Sequence, residues 1–240
     1  MVRKGFVFLV ALMMAAAAWA SSPTDRAVQV ALSKDLSKYP AVTVKVDDRV
    51  ATLSGSVPRF TDKQKVERKA KGYGAVSRVV NLVTVDGVRV PDAELAQKLA
   101  RSLSYDRSSQ GNVFNWFDVA VRDGQVTLSG SARTPWDKES ALSLVAGTAG
   151  VRNLVDRVEV LPLSPADDEI RLLAARRIYG SVNYLHALDP AHPIRIIVKN
   201  GNVTLKGAVN SQVEKAMAGV RLQGILGVFT VENQLQVARS

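Results

Sequence analysis

Three times in 240 residues the chain writes a short turn, a strand of alternating residues and a glycine. Asp48-Arg49 leads to Leu53-Ser54-Gly55, Asp123-Gly124 to Leu128-Ser129-Gly130, and Asn200-Gly201 to Leu205-Lys206-Gly207. Counted from the glycine, Asn81, Asp156 and Asn233 all lie 26 residues further on, so this stretch aligns without a gap. Self-similarity at a period of about 75 residues calls for a row of small units, each closing its own core, rather than one large domain.

Each repeat opens on a helical stripe: Val28, Leu32, Leu36 and Tyr39; then Leu95, Leu99 and Leu103; then Ile170, Leu173, Ala174 and Ile178. Spacings of three and four define one apolar face. Ser22-Pro23 and Ser164-Pro165 read as N-cap and first helical residue, with Asp25 and Asp167 in the first turn, and Pro91-Asp92 plays the same part. Two strands follow at period two: Val42, Val44, Val46; Phe117, Val119, Val121; Ile194, Ile196, Val198. Asp-Gly and Asn-Gly suit the tight type I′ hairpin turn, which Asp48-Arg49 matches less well.

Along the second strand Val126, Leu128, Gly130 and Ala132 share a face. That places Gly55, Gly130 and Gly207 as structural glycines on the buried side, where a helix lies close against the sheet. A second amphipathic stretch (59–72, 135–147, 210–222) and a third strand (76–85, 151–160, 228–237) complete each repeat. The expected fold is α+β: three tandem α-β-β-α-β units at 22–88, 89–162 and 163–240, each a three-stranded mixed sheet with two helices on one face. The helical crossover makes the third strand parallel to the second.

Met1-Val2-Arg3-Lys4, the uncharged apolar run Phe6 to Ala18 and Ala18-Trp19-Ala20 before Ser21 have the layout of a cleaved secretory signal peptide over 1–20. No other stretch approaches the run of about eighteen apolar residues that a membrane span needs. Cysteine is absent, which excludes a disulfide framework and a lipid-modified cysteine after the signal. The expected location is the periplasm. Net charge is +10, or +8 without Arg3 and Lys4. Export removes nucleic acid as a partner and leaves the anionic surfaces of an envelope. The first unit is the basic one, with twelve Lys/Arg against seven Asp/Glu over 22–88.

The order of elements, the strand ending in glycine, and the closing segments Val76-Ser77-Arg78-Val79-Val80-Asn81 and Val228-Phe229-Thr230-Val231-Glu232-Asn233 resemble the BON domain, three times over. The middle repeat departs from the closing motif with Asp156 in place of Asn. The resemblance implies an exported, non-enzymatic module, similar to the osmotically inducible periplasmic protein of Gram-negative bacteria. Such a module binds membrane phospholipid and supports envelope integrity or osmotic stress tolerance. In the lipoprotein members lipid contact is attributed to a helix of the second domain, which corresponds here to 91–105.

No catalytic constellation emerges from the residues themselves. Gly124 and Gly130 are not followed by Gly-Lys-Ser/Thr, so no phosphate-cradling loop is present. Ser54 and Ser129 precede the repeated glycine, but Lys206 takes that place in the third repeat. His186 and His192, six residues apart and separated by Pro190, share no helix face and read as loop residues rather than metal ligands. No cofactor and no metal are expected.

Two features are candidates for binding. Lys63, Lys65, Arg68 and Lys69 lie on the second helix of the first repeat, and each cation near an anionic membrane contributes about 1 kcal/mol; Asp62 and Glu67 interrupt that field, as on a merely solvated helix face. The middle repeat carries an insertion with Arg107, Phe114, Trp116 and Phe117, a mixture suited to headgroup depth. The competing reading has Phe117 beginning a buried strand while Phe114 and Trp116 cap the sheet end. The expected partner is an anionic phospholipid surface, bound peripherally. The alternative is a periplasmic protein-interaction or chaperone-like module.

Overall fold

A computed structural model of the chain describes residues 22–105, 112–180 and 194–238. The segment read as a signal peptide, Arg107, His186 and His192 lie outside the described residues. In the first repeat α1 (Pro23–Asp35) precedes β1 (Val42–Asp47), β2 (Val50–Val57), α2 (Phe60–Lys71), β3 (Arg78–Asn81) and β4 (Thr84–Val85). The second contains α3 (Asp92–Tyr105), a 3-10 turn (Asn112–Phe114), β5 (Trp116–Arg122), β6 (Gln125–Ala132), α4 (Pro135–Gly147) and β7 (Asn153–Val160). The third contains α5 (Pro165–Tyr179), β8 (Arg195–Lys199), β9 (Asn202–Lys206), β10 (Ala208–Val209), α6 (Gln212–Leu222), β11 (Thr230–Asn233) and β12 (Gln236–Val237).

The fold is α+β with mixed sheets. β5 runs antiparallel to β6, pairing Val119 with Leu128, and β7 runs parallel to β6, pairing Gly130 with Val158. β8 and β11 flank β9 in the same way. The order β1-β2-β3 holds in the first repeat, with β4 pairing the end of β2 in parallel. In the third repeat the strands break where Gly207, at φ +120°, turns the backbone between β9 and β10. Their parallel partners β11 and β12 break alongside.

The helix starts follow from their caps. The Ser22 and Ser164 hydroxyls accept from the backbone N–H of Asp25 and Asp167, with proline at the first helical position. Those aspartates also do something the helix dipole alone does not require. Asp92 accepts from the backbone N–H groups of Asp123 (2.7 Å) and Gly124 (3.0 Å), and Asp167 from those of Asn200 and Gly201 (2.8 Å each). Asp25 accepts from Arg49 N–H at 3.2 Å. One carboxylate per repeat thus ties the start of its first helix to its hairpin turn. The Ser22 hydroxyl, followed by these backbone donors, holds the Asp25 carboxyl below its ordinary value against the opposing effect of burial.

The turn Asp48-Arg49, a poor match by sequence, adopts the same conformation as the other two, with φ +45° and +60°. Left-handed backbone is costly at arginine. The Asp25 bond and a bond from Arg49 Nε to the Ala75 carbonyl at 3.2 Å hold it there.

The repeated glycines need a different explanation from the expected one. Gly55 is exposed, and Gly130 and Gly207 are half-buried rather than fully buried. All three have φ between +108° and +120°. A Cβ on Gly130 would stand 2.1 Å from the Trp116 carbonyl oxygen of the adjacent strand. The approach that excludes a side chain is strand to strand.

By packing, the described residues divide into two compact units. One comprises the described residues up to Ser54 with Glu67–Leu82, the other Gly55–Val66 with the described residues from Val83 onward. Within the larger unit one core gathers Leu95, Leu99, Leu103, Val126, Leu128 and Val145, joined by Phe60. A second gathers Ile170, Ile178, Ile196, Val198, Leu205 and Leu222.

Candidate binding surfaces

The basic residues of the first repeat stand on α2. Val66 and Ala70 on this helix are buried, so helical spacing turns Lys65, Arg68 and Lys69 outward, and all three are exposed; Lys63 is half-buried. Several cations have acidic neighbours: Lys65 Nζ lies 3.5 Å from Asp62, Lys69 Nζ 3.9 Å from Asp35, and Lys71 Nζ 2.5 Å from Glu67. Both of the first two contacts are long. The Asp62 carboxylate is largely buried, whereas the Lys69–Asp35 pair is exposed on both sides, a kind of pair that contributes little. Replacing a carboxylate by a phosphate there costs correspondingly little. Arg68, Lys69 and Lys71 also occupy the last turn of α2, where the helix dipole favours cations.

The aromatics of the middle insertion have a different fate. Phe114 is buried, and with Val113 it belongs to the core of the third repeat. It is therefore not available to a headgroup. Trp116 is half-buried, its indole N–H donates to Asp118 at 2.6 Å, and Lys206 Nζ lies 5.4 Å from the ring centroid. The Arg133 guanidinium stands over Phe114 at 5.7 Å, and the Asn115 side chain accepts from Arg133 N–H at 2.6 Å. The described end of the insertion, 113–116, joins the second repeat to the third.

Further polar bonds reinforce this junction. Asp168 accepts from Arg133 Nη2 at 3.2 Å and from the buried Arg171 at 2.7 Å, while Lys199 pairs with Glu159. Burial pushes the Asp168 carboxyl up, but the bonds from Arg171 and Arg133 outweigh it and hold the group below its ordinary value. Nearby, burial pushes the Tyr179 hydroxyl up to about 12, and that hydroxyl donates to the Ile194 carbonyl. Arg195 is buried too, which lowers its affinity for a proton.

The positions 26 residues after each glycine bridge strand to helix. Asn81 donates to Glu67 at 3.0 Å, Asn233 donates to the Lys215 carbonyl at 2.6 Å, and Asp156 accepts from Lys138 Nζ at 2.7 Å. The Asp in the middle repeat is thus matched by a lysine on the facing helix. For Asp156, burial opposes ionisation, but the Lys138 bond leads the effects that hold its carboxyl below the ordinary value.

Two features of the structure are not legible in the sequence. The helix-to-turn carboxylates were visible as first-turn aspartates, but their partners lie more than twenty residues away. The exposed apolar residues of α6 were hidden because Val213, Met217 and Val220 read as part of an ordinary amphipathic stripe. Among the described residues no group of three or more His, Asp or Glu side chains is arranged to hold a metal ion. No helix among them is long and apolar enough to cross a membrane.

This is a protein of tandem α+β modules whose surfaces differ between repeats. The BON domain model matches residues 22–87, 91–162 and 174–239, and the chain belongs to the BON domain family. It is similar to the uncharacterized protein in gshII 5'region of Anaplasma centrale, 25% identical over 146 residues that span 57% of this chain and 94% of that one. Among solved structures it is similar to CdsD, a structural protein of the type III secretion system of Chlamydia trachomatis, at 16% identity over 87% of this chain and 91% of that one, with a TM-score of 0.25. The PrgH periplasmic domain is similar at 11% identity over 86% of this chain and 100% of that one, with a TM-score of 0.23.

Proposed function

We propose that the protein is an exported, non-enzymatic envelope protein that associates peripherally with anionic phospholipid and supports envelope integrity under osmotic stress. The observation that carries this reading is the outer face of α2, where Lys65, Arg68 and Lys69 are exposed and two of them have only loose acidic partners. Family membership supports the reading, as does the net charge of +8 that remains without Arg3 and Lys4. Phe114 is buried and the half-buried Trp116 is engaged by Asp118 and Lys206, which weakens the case for the insertion as the contact.

Reversal of Lys65, Arg68 and Lys69 to glutamate tests it. At about 1 kcal/mol per cation, loss of three alone weakens binding to anionic vesicles by roughly a hundredfold, and the added negative charge weakens it further. The thermal midpoint should move little, because the three side chains face solvent. Undiminished vesicle binding in the triple variant would remove α2 from the mechanism. Binding lost only with Trp116→Ala would place the contact in the second repeat.

A further inference from the structure

The third repeat differs from the others on the outer face of its second helix. Counted from the shared glycine, Val213, Met217 and Val220 of α6 stand where α2 has Thr61, Lys65 and Arg68 and α4 has Trp136, Ser140 and Ser143. The three are 71%, 46% and 56% exposed, while Ala218 and Leu222 on the inner side of α6 are buried. Spacings of four and three form the seam of a helix that packs against another helix. Hydrogen bonds to α5 hold α6 firmly. Arg177 Nη1 donates to the Gln223 carbonyl at 2.7 Å, and Arg221 Nη1 donates to the Ile178 carbonyl at 3.0 Å. The apolar face is therefore presented on a fixed element.

We propose that this face is a homodimer contact in which α6 packs antiparallel against α6 of a second copy of the chain, across a two-fold axis near Met217. A two-fold contact must complement itself. Glu214 precedes Met217 by three residues and Arg221 follows it by four, and both flank the seam on the same side. Antiparallel pairing therefore sets each Glu214 against the partner's Arg221, giving two opposite-charge pairs around an apolar centre. A face built for an anionic membrane would be rimmed by cations alone, whereas this one carries one acid and one base. A helix of 11 residues spans only about 16 Å, so the contact falls below the roughly 1,200 Å² of a stable complex. The dimer is accordingly weak and concentration-dependent.

Sedimentation equilibrium of the full chain over a wide concentration range should show a reversible monomer–dimer equilibrium. Met217→Lys should raise the dissociation constant by about tenfold or more, since it sets two cations against each other at the axis. Glu214→Lys and Arg221→Glu should each weaken self-association, and mixing the two variants should restore it. The mixed pair has two opposite-charge contacts where each variant alone has two like-charge ones. Glu214 also accepts from Asn210 N–H and Arg221 bonds Ile178, so melting curves accompany both variants; Met217→Lys touches neither bond. A wild type that stays monomeric throughout, association unchanged by Met217→Lys, or a mixture that fails to associate would overturn the proposal. So would a monomeric wild type whose vesicle binding is lost in Met217→Lys, which would make the face a membrane contact.

Discussion

At Gly130 two constraints coincide: a φ of +120° and a carbonyl oxygen 2.1 Å from where a Cβ would stand. The backbone strain alone is worth about 1–3 kcal/mol, and the obstructing carbonyl belongs to a strand that cannot yield without breaking its own ladder. Gly130→Ala should therefore lower the thermal midpoint clearly, and Gly130→Val further. Gly147, at the end of α4 with nothing within 4 Å of an added Cβ, is the control. There alanine should be neutral or stabilising by up to about 1 kcal/mol. Equal melting curves for Gly130→Ala and wild type would refute the strand-approach explanation. The Asp92 carboxylate gives a second residue-scale prediction. Asp92→Ala leaves two turn N–H groups without their acceptor and should cost about 1–3 kcal/mol by denaturant titration. Asp92→Asn, which keeps one acceptor oxygen, should cost less.

Between elements, charge carries the joints that apolar periodicity does not. Asp168 links α5 to Arg133 at the end of β6, and Asp156 links β7 to Lys138 of α4. Both carboxyls are held below the ordinary value of 3.8. A carboxylate depressed in the folded state contributes stability that is fully present above its unfolded value and is lost as pH falls through its folded value. Thermal midpoints should therefore decline as pH is lowered below about 4, and Asp168→Asn should flatten that decline. An unchanged acid slope in Asp168→Asn would show that the joint carries no such linkage. The hairpins and crossovers were legible in the sequence because period-two and helical stripes recur in all three repeats, each confirming the others. The turn at Asp48-Arg49 was not, since its conformation is imposed by Asp25 and Ala75 from outside the turn. Nor was the seat of Phe114, because the connection from first helix to first strand differs in length in every repeat and offers no register from which to read its partner.

For the molecule as a whole, family membership and the basic character of the first repeat were readable from sequence, while the union of the second and third repeats in one compact unit was not. Phe114, just before β5, is buried in the core of the third repeat and so spans that union. Phe114→Ala should cost about 3–5 kcal/mol and lower the melting of that unit, read by calorimetry. The first repeat's α2 and the third repeat's α6 present different outer faces, one charged and one apolar, at the same scaffold position. The most direct test of the account is binding of the wild-type protein to vesicles of neutral and of anionic phospholipid across a salt series. Peripheral electrostatic association predicts binding to anionic vesicles only, falling steeply as the screening length shrinks from about 30 Å at 0.01 M salt to about 8 Å at 0.15 M. Equal binding to neutral vesicles, or anionic binding indifferent to salt, would contradict it.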